Sequence, residues 1–144
     1  MAERPINQLS GGEKQRLAIA ALLTQQPQYY FLDEPANHLD IRHQLQLFDH
    51  FTYLAQYENA AIIMSLHDVN LAQRYCSHLI LMLPEGRLLQ GTPETILTEY
   101  NLSTLYGCNM KAFQSGQHVW WHASNNDITS HIDTLFDRRT SSCQ

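Results

Sequence analysis

Two short apolar runs, separated by an amphipathic pattern, constrain the fold of this chain more than any other feature. The first run is Tyr29–Leu32, and the second spans residues 60–65. Between them, over residues 41–56, apolar residues recur at helical spacing. Continuous apolar runs of this length are typical of strands that are buried on both faces, as in parallel sheets. The pattern therefore predicts an α/β fold, a parallel sheet with flanking helices and right-handed crossovers.

The rest of the chain continues the alternation, with a third strand predicted to join the same sheet. The later predicted elements are a helix over 69–75, the third strand over 79–82, a turn at 84–86, a short strand over 87–90, a helix capped by Thr92, a helix over 102–106 and a strand pair ending near 122. The last twenty or so residues are rich in Ser, Asn, Asp and Thr. That composition predicts a loose tail.

Composition excludes several classes of protein. The formal net charge is -5 and the sequence pI is about 5.8, which argues against binding to nucleic acid or anionic lipid. Three widely spaced cysteines without a CxxC pair indicate free thiols rather than disulfides or a zinc site. No leader pattern opens the chain and no apolar stretch is long enough to span a bilayer, so we expect any membrane association to go through a partner protein.

The end of the first apolar run carries the first candidate for chemistry. Asp33 and Glu34 follow the strand directly, where carboxylates can bind Mg²⁺ and orient a water molecule. Because adjacent strand residues point to opposite sides, the two acids would serve different tasks. The alternative is an ordinary solvated strand end.

Two further features could bind phosphate. Ser10, Gly11 and Gly12 lie at a predicted helix start, where free N–H groups and the helix dipole favour anions. The alternative there is a cap and a turn. His67 follows the second strand and could contact a phosphate or a water, although a lone histidine is more often structural or solvated.

These features occur together in the order of a known family. Leu-Ser-Gly-Gly-Glu at 9–13 with Gln-Arg at 15–16 matches the ABC signature, and residues 29–34 match a Walker B strand with its terminal glutamate. Residues 37–40 resemble the D-loop and residues 65–68 the H-loop. The chain therefore resembles ABC-type ATPases, a P-loop NTPase fold, closely over about residues 5–95 and loosely to 112. The resemblance implies an ABC ATPase portion over residues 1–112 and an extension over 113–144.

The resemblance also implies roles for individual residues. Asp33 would support Mg²⁺, Glu34 would act as general base or orient the attacking water, and His67 would contact the γ-phosphate of ATP. The signature residues would bind ATP held by the opposite subunit, and Asp40 would communicate across the dimer. The implied signature residues are Ser10, Gly11, Gly12 and Glu13.

The implied partners are a second ABC ATPase subunit in a head-to-tail dimer and membrane-spanning permease subunits. Residues 67–72, 86–87 and 91–94 look like the importer branch for vitamin B12 or iron-siderophore complexes, peripheral on the cytoplasmic face of the membrane. Alternatives are a translation-associated or other soluble ABC ATPase, a chromosome-maintenance or DNA-repair ATPase tail, or a non-catalytic fragment that docks on an intact ATPase. The lack of heptads and the acidic charge argue against the DNA-repair alternative.

One element of the family pattern is missing from these 144 residues. Neither of the two lysines, Lys14 and Lys111, follows a glycine, so no Gly-x-x-x-x-Gly-Lys-Ser/Thr phosphate loop is present. In the family the strand that feeds this loop lies beside the strand that ends at the H-loop, so its absence predicts an open apolar edge on the 60–65 strand. We therefore expect a truncated, split or excised product that binds ATP and Mg²⁺ only with a missing part or a partner chain.

Overall fold

The computed structural model describes residues 5–124, which divide into two compact units at the boundary between Leu71 and Ala72. The elements of the first unit alternate helix and strand: α1 Gly11–Leu23, β1 Tyr29–Leu32, α2 Ile41–Tyr57 and β2 Ala61–Met64, with α3 Val69–Tyr75 running across the boundary. β1, α2, β2 and α3 each lie within one residue of the sequence prediction at their ends, and α1 begins at the predicted helix start after Ser10. The α/β alternation of this unit is confirmed.

β1 and β2 form a parallel pair, in register from Tyr29 opposite Ala61 to Leu32 opposite Met64. α2 covers one face of this pair. Tyr30 is buried and its ring lies 6.5 Å from that of Phe51, while Phe48 on the same helix face is fully buried. Burial of these rings follows from the helical spacing of the apolar residues in α2, which collects them on one side of the helix.

The other face of the same pair is apolar and exposed. Tyr29, Phe31 and Ile63 expose 66%, 73% and 55% of their surface. Within residues 5–124, β2 is hydrogen-bonded to β1 alone, so one edge of β2 has no strand beside it. This agrees with the open edge expected for the 60–65 strand.

The third strand does not join the parallel sheet, and that prediction was wrong. β3 Leu79–Met82 pairs antiparallel with β4 Leu88–Gly91 in a two-stranded sheet of its own. The short turn between them contains Glu85 and Gly86 in left-handed backbone conformations, with φ of 61° and 74°. This turn reverses the chain at once and pairs one edge of β3 with β4; along its other edge no strand is hydrogen-bonded to β3 within residues 5–124.

The second unit continues with α4 Pro93–Ile96, α5 Glu99–Tyr106, β5 Met110–Ser115 and β6 His118–Ala123. α5 begins three residues earlier than predicted because the Thr98 hydroxyl caps it, accepting a hydrogen bond from Asn101 N. The predicted strand pair is confirmed as the β5–β6 hairpin. Residue 112, where the resemblance places the end of the ATPase portion, lies within β5; the predicted loose tail lies outside the described residues.

Within the described part of the chain, no helix has the length and apolar character needed to cross a membrane.

Candidate functional site

The ends of β1 and β2 carry a hydrogen-bonded group of polar side chains. Ser65 Oγ donates to Asp33 Oδ1 at 2.6 Å and accepts from the backbone N–H of Glu34 at 2.9 Å. The last backbone ladder bond beside it runs from Ser65 N to Leu32 O at 3.0 Å. One hydroxyl therefore connects the two acids that the sequence predicted as a functional pair.

Glu34 makes different contacts from Asp33. Its carboxylate contacts the His67 ring through Oε1 and the Asn37 side-chain amide through Oε2. The Glu34 side chain is 31% exposed, whereas that of His67 is 83% exposed. The two acids thus have separate partners, as expected for neighbouring residues at the end of a strand.

The backbone of Glu34 adopts an uncommon conformation. Its φ is +44°, in the left-handed region that costs a residue with a Cβ about 1–2 kcal/mol. A turn closes over it, with Asn37 N donating to Glu34 O at 3.0 Å, and buried Pro35 follows it. Surrounding structure holds this conformation, and backbone strain of this kind is concentrated at functional sites.

A cavity of about 130 Å³ opens beside Glu34 within the first unit. It is lined by Glu34, Ala36, Asn37, Gln44, Leu66, His67, Asp68 and Leu71. The carboxylate and the imidazole therefore face a space large enough for several water molecules. A general base needs such a space in order to reach a reacting water.

The start of α1 is closely packed on the loop that follows the two acids. A Cβ at Gly12 would lie 2.7 Å from the backbone oxygen of His38, so only glycine fits there. Gln15 Nε2 also donates to Pro35 O at 3.2 Å. Helix α1, which begins within the signature-like segment, thus packs on the loop that follows Asp33 and Glu34.

Ser10 and Glu13 form a reciprocal cap at the start of α1. Ser10 Oγ accepts from Glu13 N at 3.3 Å, and Ser10 N donates to Glu13 Oε2 at 2.8 Å. This capping box stabilises the helix start and satisfies two of its free N–H groups. Both residues have a structural task in addition to the predicted nucleotide contact.

Asp40 caps α2. Its Oδ1 accepts from His43 N at 2.9 Å and contacts His43 Nδ1 at 2.7 Å. These hydrogen bonds, the backbone one first, lower the pKa of the Asp40 carboxyl from its usual value. The structure gives Asp40 this local role, and its predicted role across a dimer stays a prediction.

Among residues 5–124, no three His, Cys, Asp or Glu side chains cluster closely enough to form a metal site by themselves. Asp33 is exposed at the strand end, beside the Ser65 hydroxyl. One carboxylate fits Mg²⁺, which commonly keeps several waters and takes its other ligands from a bound phosphate. The donors present are compatible with Mg²⁺ held jointly with a nucleotide.

The structure brings three of the predicted residues together at the strand ends, namely Asp33, Glu34 and His67. Gly12 lies near the same region, because it packs against the backbone of His38 in the loop that follows the two acids. Sequence reasoning assigned no role to Ser65 or Asn37, which hold the acids in place. The available signals were a serine ending an apolar strand and an asparagine three residues after Glu34.

Comparisons with known proteins agree with this arrangement. Residues 1–37 match the ABC transporter family model. The achromobactin transport ATP-binding protein CbrD of Dickeya dadantii is 39% identical over 77% of this chain and 41% of its own length. The hemin import ATP-binding protein HmuV of Escherichia coli O157:H7 is 39% identical over 76% of this chain and 45% of its own length.

A solved structure of a metal-chelate type ABC transporter, in an inward-facing conformation, superposes with a TM-score of 0.71 at 26% identity. The superposition covers 85% of this chain and 49% of that one. This chain thus spans less than half the length of the relatives that it matches. On sequence and on fold, it is a partial-length relative of the ATP-binding proteins of ABC transporters.

Proposed function

We propose that this chain supplies the catalytic acid pair and the signature helix of an ATP-hydrolysing subunit in an ABC importer. The observation that supports this most directly is the convergence of Asp33, Glu34 and His67 at the ends of two parallel strands. Carboxyl ends of parallel strands are the usual place for ligands in open α/β sheets. The importer assignment draws on the similarity to CbrD and HmuV.

Each side chain has a distinct task in this proposal. Glu34 accepts a proton from, or orients, the water that attacks the γ-phosphate, and the cavity beside it admits that water. His67 lies against Glu34 and contacts the terminal phosphate once ATP is bound. Asp33 supports Mg²⁺, which when bound neutralises charge on the phosphate oxygens.

The signature helix acts on a second nucleotide in a head-to-tail dimer. The glycines at positions 11 and 12 leave the start of α1 without bulky side chains, and the Ser10–Glu13 box fixes its direction. The helix dipole there favours a phosphate. In this arrangement Asp40, which begins α2, lies in the segment that communicates between subunits.

A phosphate loop from outside these 144 residues completes the site. Two features of the first unit suit such an addition: the open edge of β2, and the exposed apolar face formed by Tyr29, Phe31 and Ile63. Parallel strands are normally covered on both faces. A parallel strand beside β2, followed by an apolar helix over this face, would satisfy the edge and bury the rings.

The transported substrate is proposed to be an iron-siderophore or a related metal chelate, and membrane attachment is proposed to go through permease subunits on the cytoplasmic side. The names of CbrD and HmuV, and the metal-chelate type of the superposed transporter, support this class. They favour it over vitamin B12.

A completed chimera tests the proposed function. An upstream segment of an ABC ATPase domain that carries Gly-x-x-x-x-Gly-Lys-Ser/Thr is joined in frame before this chain, and ATP turnover is measured with and without Mg²⁺. We expect Mg²⁺-dependent hydrolysis that disappears when the loop lysine is changed to alanine. A folded chimera that binds ATP but releases no phosphate above background would contradict the proposal.

A further inference from the structure

The hydroxyl of Ser65 occupies the point where the backbone ladder between β1 and β2 stops. Ser65 N still donates to Leu32 O at 3.0 Å. If the parallel ladder continued, the next bond would run from Glu34 N to the Ser65 carbonyl oxygen. Instead Glu34 N donates to Ser65 Oγ at 2.9 Å. The side chain thus replaces the backbone as the acceptor for this amide.

This replacement coincides with the left-handed conformation of Glu34. With φ of +44°, Glu34 leaves the extended conformation, so the chain turns away from β2 after this residue. The Glu34 N–H is therefore the last amide at this strand end, and the Ser65 hydroxyl accepts its hydrogen bond. Ser65 thereby gives the Glu34 amide a partner in the conformation that directs its carboxylate toward His67 and the cavity.

The same hydroxyl fixes the second acid. A hydroxyl has one proton to donate, and Ser65 donates it to Asp33 Oδ1 at 2.6 Å, a short bond to a charged acceptor. Since the oxygen also accepts from Glu34 N, the two bonds together define its orientation. A single side chain directly after β2 therefore sets the positions of both acids at the end of β1.

We propose that Ser65 is a positioning residue, which holds the Asp33 carboxylate and the Glu34 backbone in the arrangement needed for hydrolysis without touching the nucleotide itself. The inference rests on the proposed function for its catalytic consequence. Its structural part, the coupling of the two acids through one hydroxyl, depends on this chain alone.

The test compares Ser65→Ala with Ser65→Thr, which keeps a hydroxyl at the same position. In the 144-residue chain, amide hydrogen exchange and NMR report on Glu34 N–H directly. Loss of the acceptor in Ser65→Ala should speed exchange at Glu34 about three- to tenfold and move its amide proton upfield. Ser65→Thr should restore both values to near those of the unchanged chain.

In the completed chimera, Ser65→Ala should lower kcat about 10- to 100-fold and change KM for ATP by less than about threefold, because misplaced groups weaken the chemical step more than binding. Ser65→Thr should recover most of the loss. The matched control is Ser103→Ala, which removes a hydroxyl that accepts from Met110 N at the same distance of 2.9 Å. That variant should leave Glu34 exchange and kcat within about twofold of the unchanged chain.

The proposal is overturned if Ser65→Ala leaves Glu34 exchange unchanged, or if kcat and exchange respond equally to the Ser103 control. It is also overturned if Thr fails to restore what Ala removes. A chimera that shows no turnover even without these substitutions contradicts the proposed function instead. The exchange and chemical-shift results in the 144-residue chain then decide the Ser65 proposal by themselves.

Discussion

The two units of this chain use their carboxylates in different ways. In the first unit, Asp33 and Glu34 lie at the end of a parallel strand and have hydroxyl, amide and imidazole partners, and Glu34 borders a cavity. In the second unit, Glu99 bonds Lys111 Nζ at 2.8 Å and Ala112 N at 3.2 Å, tying the start of α5 to β5. The first arrangement leaves acids available for chemistry, whereas the second uses an acid to join two elements.

The two units also differ in how their strands pair. The second unit pairs each strand with its neighbour in sequence, forming two antiparallel hairpins. The first unit pairs its two strands in parallel across an intervening helix. Both units expose apolar strand residues, Tyr29, Phe31 and Ile63 in the first and Ile80, Met82 and Leu88 in the second. The difference therefore lies in the connection, because parallel pairing needs a long crossover and a hairpin needs only a short turn.

The largest expected effect is a difference in ATP turnover between substitutions of Glu34 in the first unit and Glu99 in the second. In the completed chimera, Glu34→Gln should reduce ATP turnover about 10²- to 10⁴-fold, because it removes the proposed base while keeping the shape of the side chain. Glu99→Gln, the matched change in the second unit, should alter turnover by less than about twofold. Phosphate-release assays measure both. Equal losses in the two variants would remove the distinction between the units.

A core substitution checks the packing under the strand-end acids. Phe48 is fully buried in the first unit, so Phe48→Ala should lower the free energy of unfolding by about 3–5 kcal/mol. Phe113, which is 59% exposed opposite Trp120, should lose about 1 kcal/mol or less on the same change. Urea denaturation followed by circular dichroism measures both. A small effect at Phe48 would mean that α2 does not pack on β1 as described.

The open face of the first unit gives a third prediction. When the phosphate-loop segment is supplied as a separate polypeptide, Ile63→Lys should weaken its binding at least about tenfold, because the added charge would be buried in the interface. Tyr100→Lys, at an exposed apolar position in the second unit, is the control and should leave affinity unchanged. Calorimetry with the two polypeptides measures this. Unchanged affinity for Ile63→Lys would place the docking surface elsewhere.

The smallest expected effect concerns acid stability. Because hydrogen bonds from His43 lower the folded-state pKa of Asp40, its ionised form favours folding above the ordinary pKa of 3.8. That contribution is lost as pH falls from 3.8 through the lower, folded-state pKa. Asp40→Asn keeps a good cap but does not titrate, so its unfolding free energy should fall less steeply with pH in this range. A parallel decline in both proteins would contradict the lowered pKa.

Sequence pattern predicted the local elements of this fold well, because each is determined by neighbouring residues. The spacing of apolar residues in α2 and the Ser10 cap of α1 set helix positions directly. The parallel pairing of β3 was mispredicted, since within residues 5–124 its hydrogen-bonded partner is β4, which follows the turn at Glu85 and Gly86. Strand propensity gives no information on which strands pair.

Part of the candidate site could also be predicted from the sequence. Asp33, Glu34 and His67 stand out because polar residues directly follow apolar strands. Ser65 and Asn37 lie within the recognised motifs, but their individual roles were not predicted, because these roles depend on contacts with Asp33 and Glu34 that no sequence periodicity reveals. Side chains that position catalytic groups are identified by three-dimensional contacts, and a single sequence contains few of these signals.

The binding of ATP to the 144-residue chain and to the completed chimera tests the central claim most directly. Calorimetric titration with Mg²⁺ and ATP should show no saturable binding to the 144 residues at millimolar concentrations, and clear saturation with the chimera, because these residues contain no Gly-x-x-x-x-Gly-Lys-Ser/Thr loop to hold the phosphates. Tight binding by the 144 residues alone, followed by hydrolysis that Glu34→Gln abolishes, would contradict the account.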